Sequence, residues 1–164
     1  MSNLQILIDQ AAIRDLHLRY CRGVDRLDWA LVRSCYHDDA TDDHGGYSGG
    51  VDGFMAWVAP ALARFESTQH FTGNQLVEVD GDTAWAEHYA LVTHRRAAGP
   101  DEPAADLVVA VRYVDRIERR NGEWRIARRV VIVDFDRLDP VGSSWLGGNA
   151  EPGRRDRSDY SYRR

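Results

Sequence analysis

The sequence predicts an α+β fold, with a few helices packed on one face of a long, curved antiparallel sheet. Three observations point there. In the first half, apolar residues recur at three- and four-residue spacing, the period of an amphipathic helix. Beyond His70 the period drops to two, that of a strand with one buried face. Asp80-Gly81 and Asn121-Gly122 each separate two alternating runs, and such dipeptides supply the positive φ angles of a tight hairpin turn.

The first helix spans residues 6–24, with Ile6, Ile13, Leu16, Tyr20 and Val24 along one stripe. Gly23 weakens its end. Asp28 caps a second helix over residues 29–36. Asp52 caps a third, whose apolar side carries Phe54, Trp57, Val58, Ala61, Leu62 and Phe65, with a kink expected at Pro60. The strand runs that follow reach about a dozen residues, against a usual ~5–6. Residues 97–103, rich in Ala, Gly and Pro, form a loop between strands. Helices closing one end of a curved sheet make a cone, and a cone encloses a pocket. The expected organisation is one domain over residues 1–140, followed by a tail over 141–164.

Composition narrows the function. The chain has 164 residues, 43% hydrophobic and 29% charged, in the range of one globular domain with room for a cavity. A net charge of -5 lacks the basic footprint of a nucleic-acid binder. All 21 basic residues are arginine, so without lysine both Schiff-base chemistry and a Walker-type phosphate loop are excluded. The absence of a long apolar run argues against a membrane span, and the N-terminus lacks a signal-peptide pattern; a cytoplasmic location is expected. Cys21 and Cys35 read as buried reduced thiols. The tail carries Arg154, Arg155, Arg157, Arg163 and Arg164 with Tyr160 and Tyr162, but also Asp156 and Asp159, and reads as solvated.

Strand parity sorts the pocket wall. Between Ala84 and Arg96, one face carries Ala86, His88, Ala90, Val92 and His94, a histidine pair among small apolar residues, as a ligand-holding surface requires. The other face carries Trp85, Tyr89 and Leu91 and would lie open to a second subunit. His70 stands in "ESTQHFTGN", between helix pattern and strand pattern. Asp25, in "RGVDRLD", could pair with Arg22 or Arg26 or cap the next helix, and spacing alone leaves this open. The cluster "HDDATDDH", His37 to His44, reads as a solvated helix-to-strand turn rather than a metal site.

The segments "AAIRDLHLRYCRGVDRLDW", "HFTGNQLVEVDGDTAW" and "RYVDRIERRNGEWRIARR" together resemble the SnoaL-like branch of the nuclear transport factor 2-like superfamily over residues 5–137. Within it the chain is most similar to the scytalone dehydratase, hexachlorocyclohexane dehydrochlorinase and bile-acid 7-alpha-dehydratase group. The resemblance implies a cone-shaped fold and a cofactor-free lyase with an Asp–His dyad, placed at Asp25 and His70. It matches Tyr20 to a tyrosine one turn before the dyad aspartate, where the dehydrochlorinase has lysine, which argues against halide expulsion. It matches Arg129 to an arginine near the leaving group, sets His88 or His94 at the position of a second histidine, and puts Tyr47 near a pocket tyrosine.

In that scheme Asp25 fixes the tautomer of His70, which takes a proton. Tyr20 donates to a carbonyl or developing enolate, and Arg129 or a second histidine stabilises negative charge on the leaving side. The expected activity is a dehydratase or isomerase acting on a small hydrophobic cyclic hydroxy or keto compound, needing neither cofactor nor metal. Substrate contacts are expected from His88, His94, Tyr47 and Val92. Other functions hosted by the fold are a non-catalytic small-molecule binder and the small subunit of a ring-hydroxylating dioxygenase. The expected partners are the substrate and further copies of the chain, as a homodimer or homotrimer, with no nucleic acid or membrane.

Overall fold

A computed structural model describes residues 2–142 and 150–163. Helix α1 (Asn3–Asp25) starts at Ser2, whose hydroxyl accepts the Gln5 N–H at 3.2 Å. Its inner stripe, Ile13, Leu16, Tyr20 and Val24, is buried. Gly23 lies in the last turn of the helix, where a Cβ would come within 2.8 Å of Val32 Cγ2 on α2 (Trp29–Ser34). The helix closes with Asp28 N–H donating to Gly23 O at 2.8 Å and Leu27 N–H to Val24 O at 3.2 Å, with Leu27 at φ 53°. That closure fixes Asp25 as the last helical residue. Asp28 then caps α2, accepting the Leu31 N–H.

The cluster expected as a solvated turn is strand β1 (Tyr36–Asp43), in which Tyr36, Ala40 and Asp42 are buried. Strand β2 (Ser48–Gly50) leads into α3 (Val51–Ala63). Gly50 rather than Asp52 holds the N-cap position; Asp52 accepts from Arg33 Nε at 3.1 Å, and Pro60 lies within the helix without ending it. Phe54, Val58 and Leu62 form the buried stripe of α3.

Four long strands follow: β3 (Ser67–Asp80), β4 (Thr83–Arg96), β5 (Ala105–Arg120) and β6 (Glu123–Pro140). They form an antiparallel meander in a six-stranded sheet of order β2-β1-β6-β5-β4-β3, where β1 runs parallel to β6. The hairpin signals hold, with positive φ at Gly81, Asn121 and Gly122. Register shifts at Gly73/Gln75, Ala110/Val111 and Arg116/Ile117 mark bulges, which bend strands and raise local twist. The helices pack on the concave face of this curved, unclosed sheet. Ile13, Leu16, Phe54, Ile117 and Ile126, all fully buried, join the two layers, each stabilising by about 1.5–3 kcal/mol.

The described part of the tail is largely exposed yet pinned to the domain at Arg155, Asp159 and Tyr162. Arg155 donates to the carbonyls of Leu62 at 2.9 Å and Phe65 at 2.6 Å, at the end of α3. The buried carboxylate of Asp159 accepts Arg154 N–H at 2.8 Å, while Tyr162 donates to Asp28 at 3.2 Å and lies under Arg22. Long-range ion pairs and stacking of this kind leave no local sequence pattern. Cys21 and Cys35 are free and buried, and among the described residues no helix is long and apolar enough to cross a membrane.

Candidate active site

Asp25, at the end of α1, meets His70 of β3. His70 lies within the strand rather than in the joining loop, and its Nδ1 is 2.6 Å from Asp25 Oδ1. The second carboxylate oxygen, Oδ2, accepts the backbone N–H of His70 at 3.1 Å, so the aspartate holds both ring and strand. A carboxylate only accepts, so this contact assigns the hydrogen of neutral His70 to Nδ1 and leaves Nε2 as its basic atom. The His70 side chain is 6% exposed and that of Asp25 14%, dry enough to strengthen their attraction without cutting them off.

His70 forms one wall of a cavity of about 230 Å³. Tyr20 and Val24 of α1 close the cavity on one side and Trp57, Val58 and Leu62 of α3 on another. The sheet contributes Val92 and His94, Val109, Val111 and Tyr113, and Val131 and Val133, mostly at alternate positions on their strands. Burial raises the Tyr20 hydroxyl well above its ordinary range, keeping it a phenol that donates. His94 lies 4.8 Å from the Phe65 ring and edge-on to His70 at 6.3 Å. Burial, then the nearby His70 and Arg155, lower His94 to about 4, so it is neutral near pH 7. Thr68 Oγ1 lies 3.0 Å from His94 Nδ1 and accepts from Arg155 Nη2 at 3.3 Å. The hydroxyl has one hydrogen and two lone pairs; with that hydrogen given to Nδ1, the His94 hydrogen sits on Nε2.

Three expected site residues lie outside the cavity wall. Arg129 is fully buried behind it, with Nε and Nη2 donating to Asp115 at 2.8 and 2.7 Å and its guanidinium 4.1 Å from the Tyr20 ring centroid and 4.5 Å from that of Tyr113. Burial opposes the charge of Asp115, but Arg129 outweighs it and holds the carboxyl below the usual range. Arg129 thus supports the two tyrosines from behind. His88 is also fully buried, stacked between His17 at 4.0 Å and Tyr113 at 4.8 Å, with neither ring nitrogen hydrogen-bonded; burial chiefly lowers it to about 2. Parity sends His88 and His94 to the same face, but His88 lies where the helices cover it. Tyr47 packs against Trp57 with its hydroxyl donating to Gly50 O at 2.7 Å.

His17, His88 and Asp115 place ligand-type atoms within 4.8 Å of one another. Both Asp115 oxygens are engaged by Arg129, whose positive charge disfavours a cation there. His17 Nε2 lies 3.2 Å from Asp115 Oδ2 but out of alignment for a hydrogen bond.

His44, Trp57 and Tyr113 line the cavity although none was expected as a site residue. His44 Nδ1 lies 2.8 Å from Asp42 Oδ1, and Asp42 Oδ2 accepts the Tyr36 hydroxyl at 2.7 Å. Parity held part of the signal: Ala40, Asp42 and His44 alternate once the segment is read as a strand, while a register shift between Tyr36 and Thr41 breaks the alternation before them.

Fold and site together define a cone-shaped, pocket-bearing domain of the nuclear transport factor 2-like kind. The SnoaL-like domain family matches residues 5–130, and the chain belongs to that family. An uncharacterized protein of Mycobacterium tuberculosis is 26% identical over 142 residues, covering 84% of this chain and 94% of that protein. The hexachlorocyclohexane dehydrochlorinase LinA-type3 of Novosphingobium barchaimii superposes with a TM-score of 0.75 at 21% identity, covering 90% of this chain and 100% of that one. A Novosphingobium aromaticivorans protein, provisionally named a scytalone dehydratase, also gives 0.75, at 18% identity, covering 92% and 100%. Likeness at that identity shows the fold.

Proposed function

We propose that the chain is a cofactor-independent lyase of the dehydratase type, abstracting a proton beside a carbonyl of a small cyclic compound. The observation that carries this reading is the Asp25-braced His70 in the wall of an apolar cavity. A core histidine would need no carboxylate locked on from the end of another element. His70 Nε2 takes the proton from the carbon, and Asp25 stabilises the imidazolium that results. The electron pair moves onto the carbonyl oxygen, where Tyr20 O–H and His94 Nε2–H donate hydrogen bonds that strengthen as charge develops. Tyr20 and His94 both remain neutral donors because the site is dry. Neighbours named as a dehydrochlorinase and a dehydratase fit this chemistry.

The cavity of about 230 Å³ lies below the roughly 300–1,000 Å³ of drug-sized sites, which favours a one- or two-ring substrate over a steroid. Protonation of the resulting enolate at another carbon would give an isomerase with the same base. Deuterium entry at C2 of 3-hydroxycyclohexanone in D2O, followed by NMR, tests the reading. The wild type accelerates entry and His70→Ala returns it to the buffer rate. Entry unaffected by His70→Ala, or tight binding of the ketone without exchange, overturns the reading in favour of a binding module.

A further inference from the structure

Among the described residues the cavity has a second carboxylate-braced histidine. His44 follows β1, whereas His70 lies on β3, and the strand order β2-β1-β6-β5-β4-β3 sets those strands on opposite sides of the sheet. The two therefore flank the cavity from different walls. The Asp42 side chain is fully buried, and its two oxygens are divided between His44 Nδ1 and the Tyr36 hydroxyl. The carboxylate is thereby fixed in orientation, as Asp25 is by the backbone of His70. The His44 side chain is 19% exposed, and its ring lies 4.9 Å from Phe54 and 6.0 Å from Trp57. Its Nε2 has no hydrogen-bond partner among the described residues.

A lyase that expels hydroxide needs a proton donor on the leaving side. His70 enters the reaction as a base and cannot fill that role in the same step. Arg129, the residue expected there, is bound to Asp115 behind the wall. His94 is held neutral and the Tyr20 hydroxyl is raised, so both are poor proton donors. We infer that His44, braced by Asp42, is the general acid that protonates the departing oxygen, an inference that rests on the lyase reading above. The substrate class narrows to β-hydroxy carbonyl compounds.

The step balances with no further reactant. The carbon–hydrogen pair becomes the new carbon–carbon double bond while its proton goes to His70 Nε2. The carbon–oxygen bond breaks with its pair on oxygen, which takes the Nε2 proton of His44 and leaves as water. His70 ends protonated and His44 neutral, and exchange with solvent resets both.

The test separates proton removal from departure. Wild type, His44→Gln and His70→Ala are given 3-hydroxycyclohexanone in D2O, reading deuterium entry at C2 and formation of 2-cyclohexenone. They are also given 3-(4-nitrophenoxy)cyclohexanone, whose 4-nitrophenolate leaves without a proton. His44→Gln is expected to lose about 10²–10⁴-fold in cyclohexenone formation while deuterium entry and nitrophenolate release stay within a few-fold. Retained exchange also shows that the variant is folded. Equal losses in all three readouts, undiminished cyclohexenone formation, or a wild type that exchanges deuterium without eliminating overturns the acid role and leaves the base intact. A wild type that does neither, or exchange surviving in His70→Ala, overturns the lyase reading and the inference with it.

Discussion

Asp25 grips His70 at two points, with Oδ1 2.6 Å from the ring Nδ1 and Oδ2 accepting the backbone N–H at 3.1 Å. The two contacts separate orientation from charge. Asp25→Asn retains one acceptor for either the ring or the backbone but cannot stabilise an imidazolium, so catalytic loss should exceed any loss of fold. His70→Ala removes the base while Asp25 keeps the backbone contact. Turnover should fall about 10²–10⁴-fold in His70→Ala with little change in Tm. Asp25→Ala, which breaks both contacts, should lower turnover and Tm together. Steady-state kinetics and thermal melts on the three variants check this; full activity in His70→Ala would refute the dyad.

Arg129 and Asp115 make the opposite case. Both are fully buried and bonded through two parallel hydrogen bonds, so truncating either strands a charge in the interior. Arg129→Ala should destabilise by roughly 3–5 kcal/mol. The double variant Arg129→Met with Asp115→Leu should recover much of that loss, because neither charge is then left alone. Urea unfolding of the single and double variants measures it. An Arg129→Ala protein of wild-type stability would show that the pair does not hold the tyrosines as described.

These two pairs show what the sequence could and could not reveal. The long strands and both hairpins were legible because period two and the Asp-Gly and Asn-Gly dipeptides are local signals. The dyad was legible only through the family resemblance, since Asp25 and His70 are 45 residues apart and no spacing rule joins them. Strand β1 was hidden because "YHDDATDD" is mostly polar; its order comes from a parallel partner, with Tyr36 set against Ile126 and Asp43 against Val130, and a buried Asp42 has meaning only beside Tyr36. Arg129 and His88 had the residue type and the parity of site residues. What parity cannot give is depth along a cone, and both lie below the cavity floor.

Buried histidines should make the fold acid-sensitive. The folded-state values of His88 and His94 are lowered by burial to about 2 and about 4. The unfolded chain binds those protons near the ordinary histidine value of ~6.5. For groups lowered on folding, the stabilisation is present above the unfolded value and is lost as pH falls toward the folded ones. Unfolding free energy should therefore decline from about pH 6.5 down to about pH 4, with up to two protons taken up on unfolding. His88→Phe should remove about one of them and flatten the slope. A free energy constant across that window would mean that these histidines are already charged in the native protein.

Arg155 ties the tail to the pocket edge through the Leu62 and Phe65 carbonyls and the Thr68 hydroxyl that fixes His94. Arg155→Ala should lower stability by about 1–3 kcal/mol, since hydrogen bonds to a charged group stabilise more than neutral ones. It also removes one of the two partners of the Thr68 hydroxyl, so the environment of the His94 ring should change. Nitrogen chemical shifts of the His94 ring, read alongside the melt, would register both effects. A melt and shifts identical to wild type would mean that the tail does not dock in solution.

The outer sheet face predicts self-association. The strand registers align Phe71 with Leu91, Leu91 with Ala110 and Ala110 with Phe135, so one apolar row crosses β3, β4, β5 and β6. Phe71 is 71% exposed, Leu91 42% and Phe135 51%, and Trp85 and Tyr89 extend the patch on the same side. Single exposed apolar residues are ordinary, but a continuous row over four strands is costly to leave in water and usually marks an interface. The helices cover the opposite face, leaving a second copy of the chain as the natural cover, through a closed dimer or trimer. Sedimentation at micromolar concentration should give two or three times the monomer mass. Leu91→Glu with Phe135→Glu should return a folded monomer, because both side chains point away from the core. A wild type that sediments as a clean monomer would refute this arrangement.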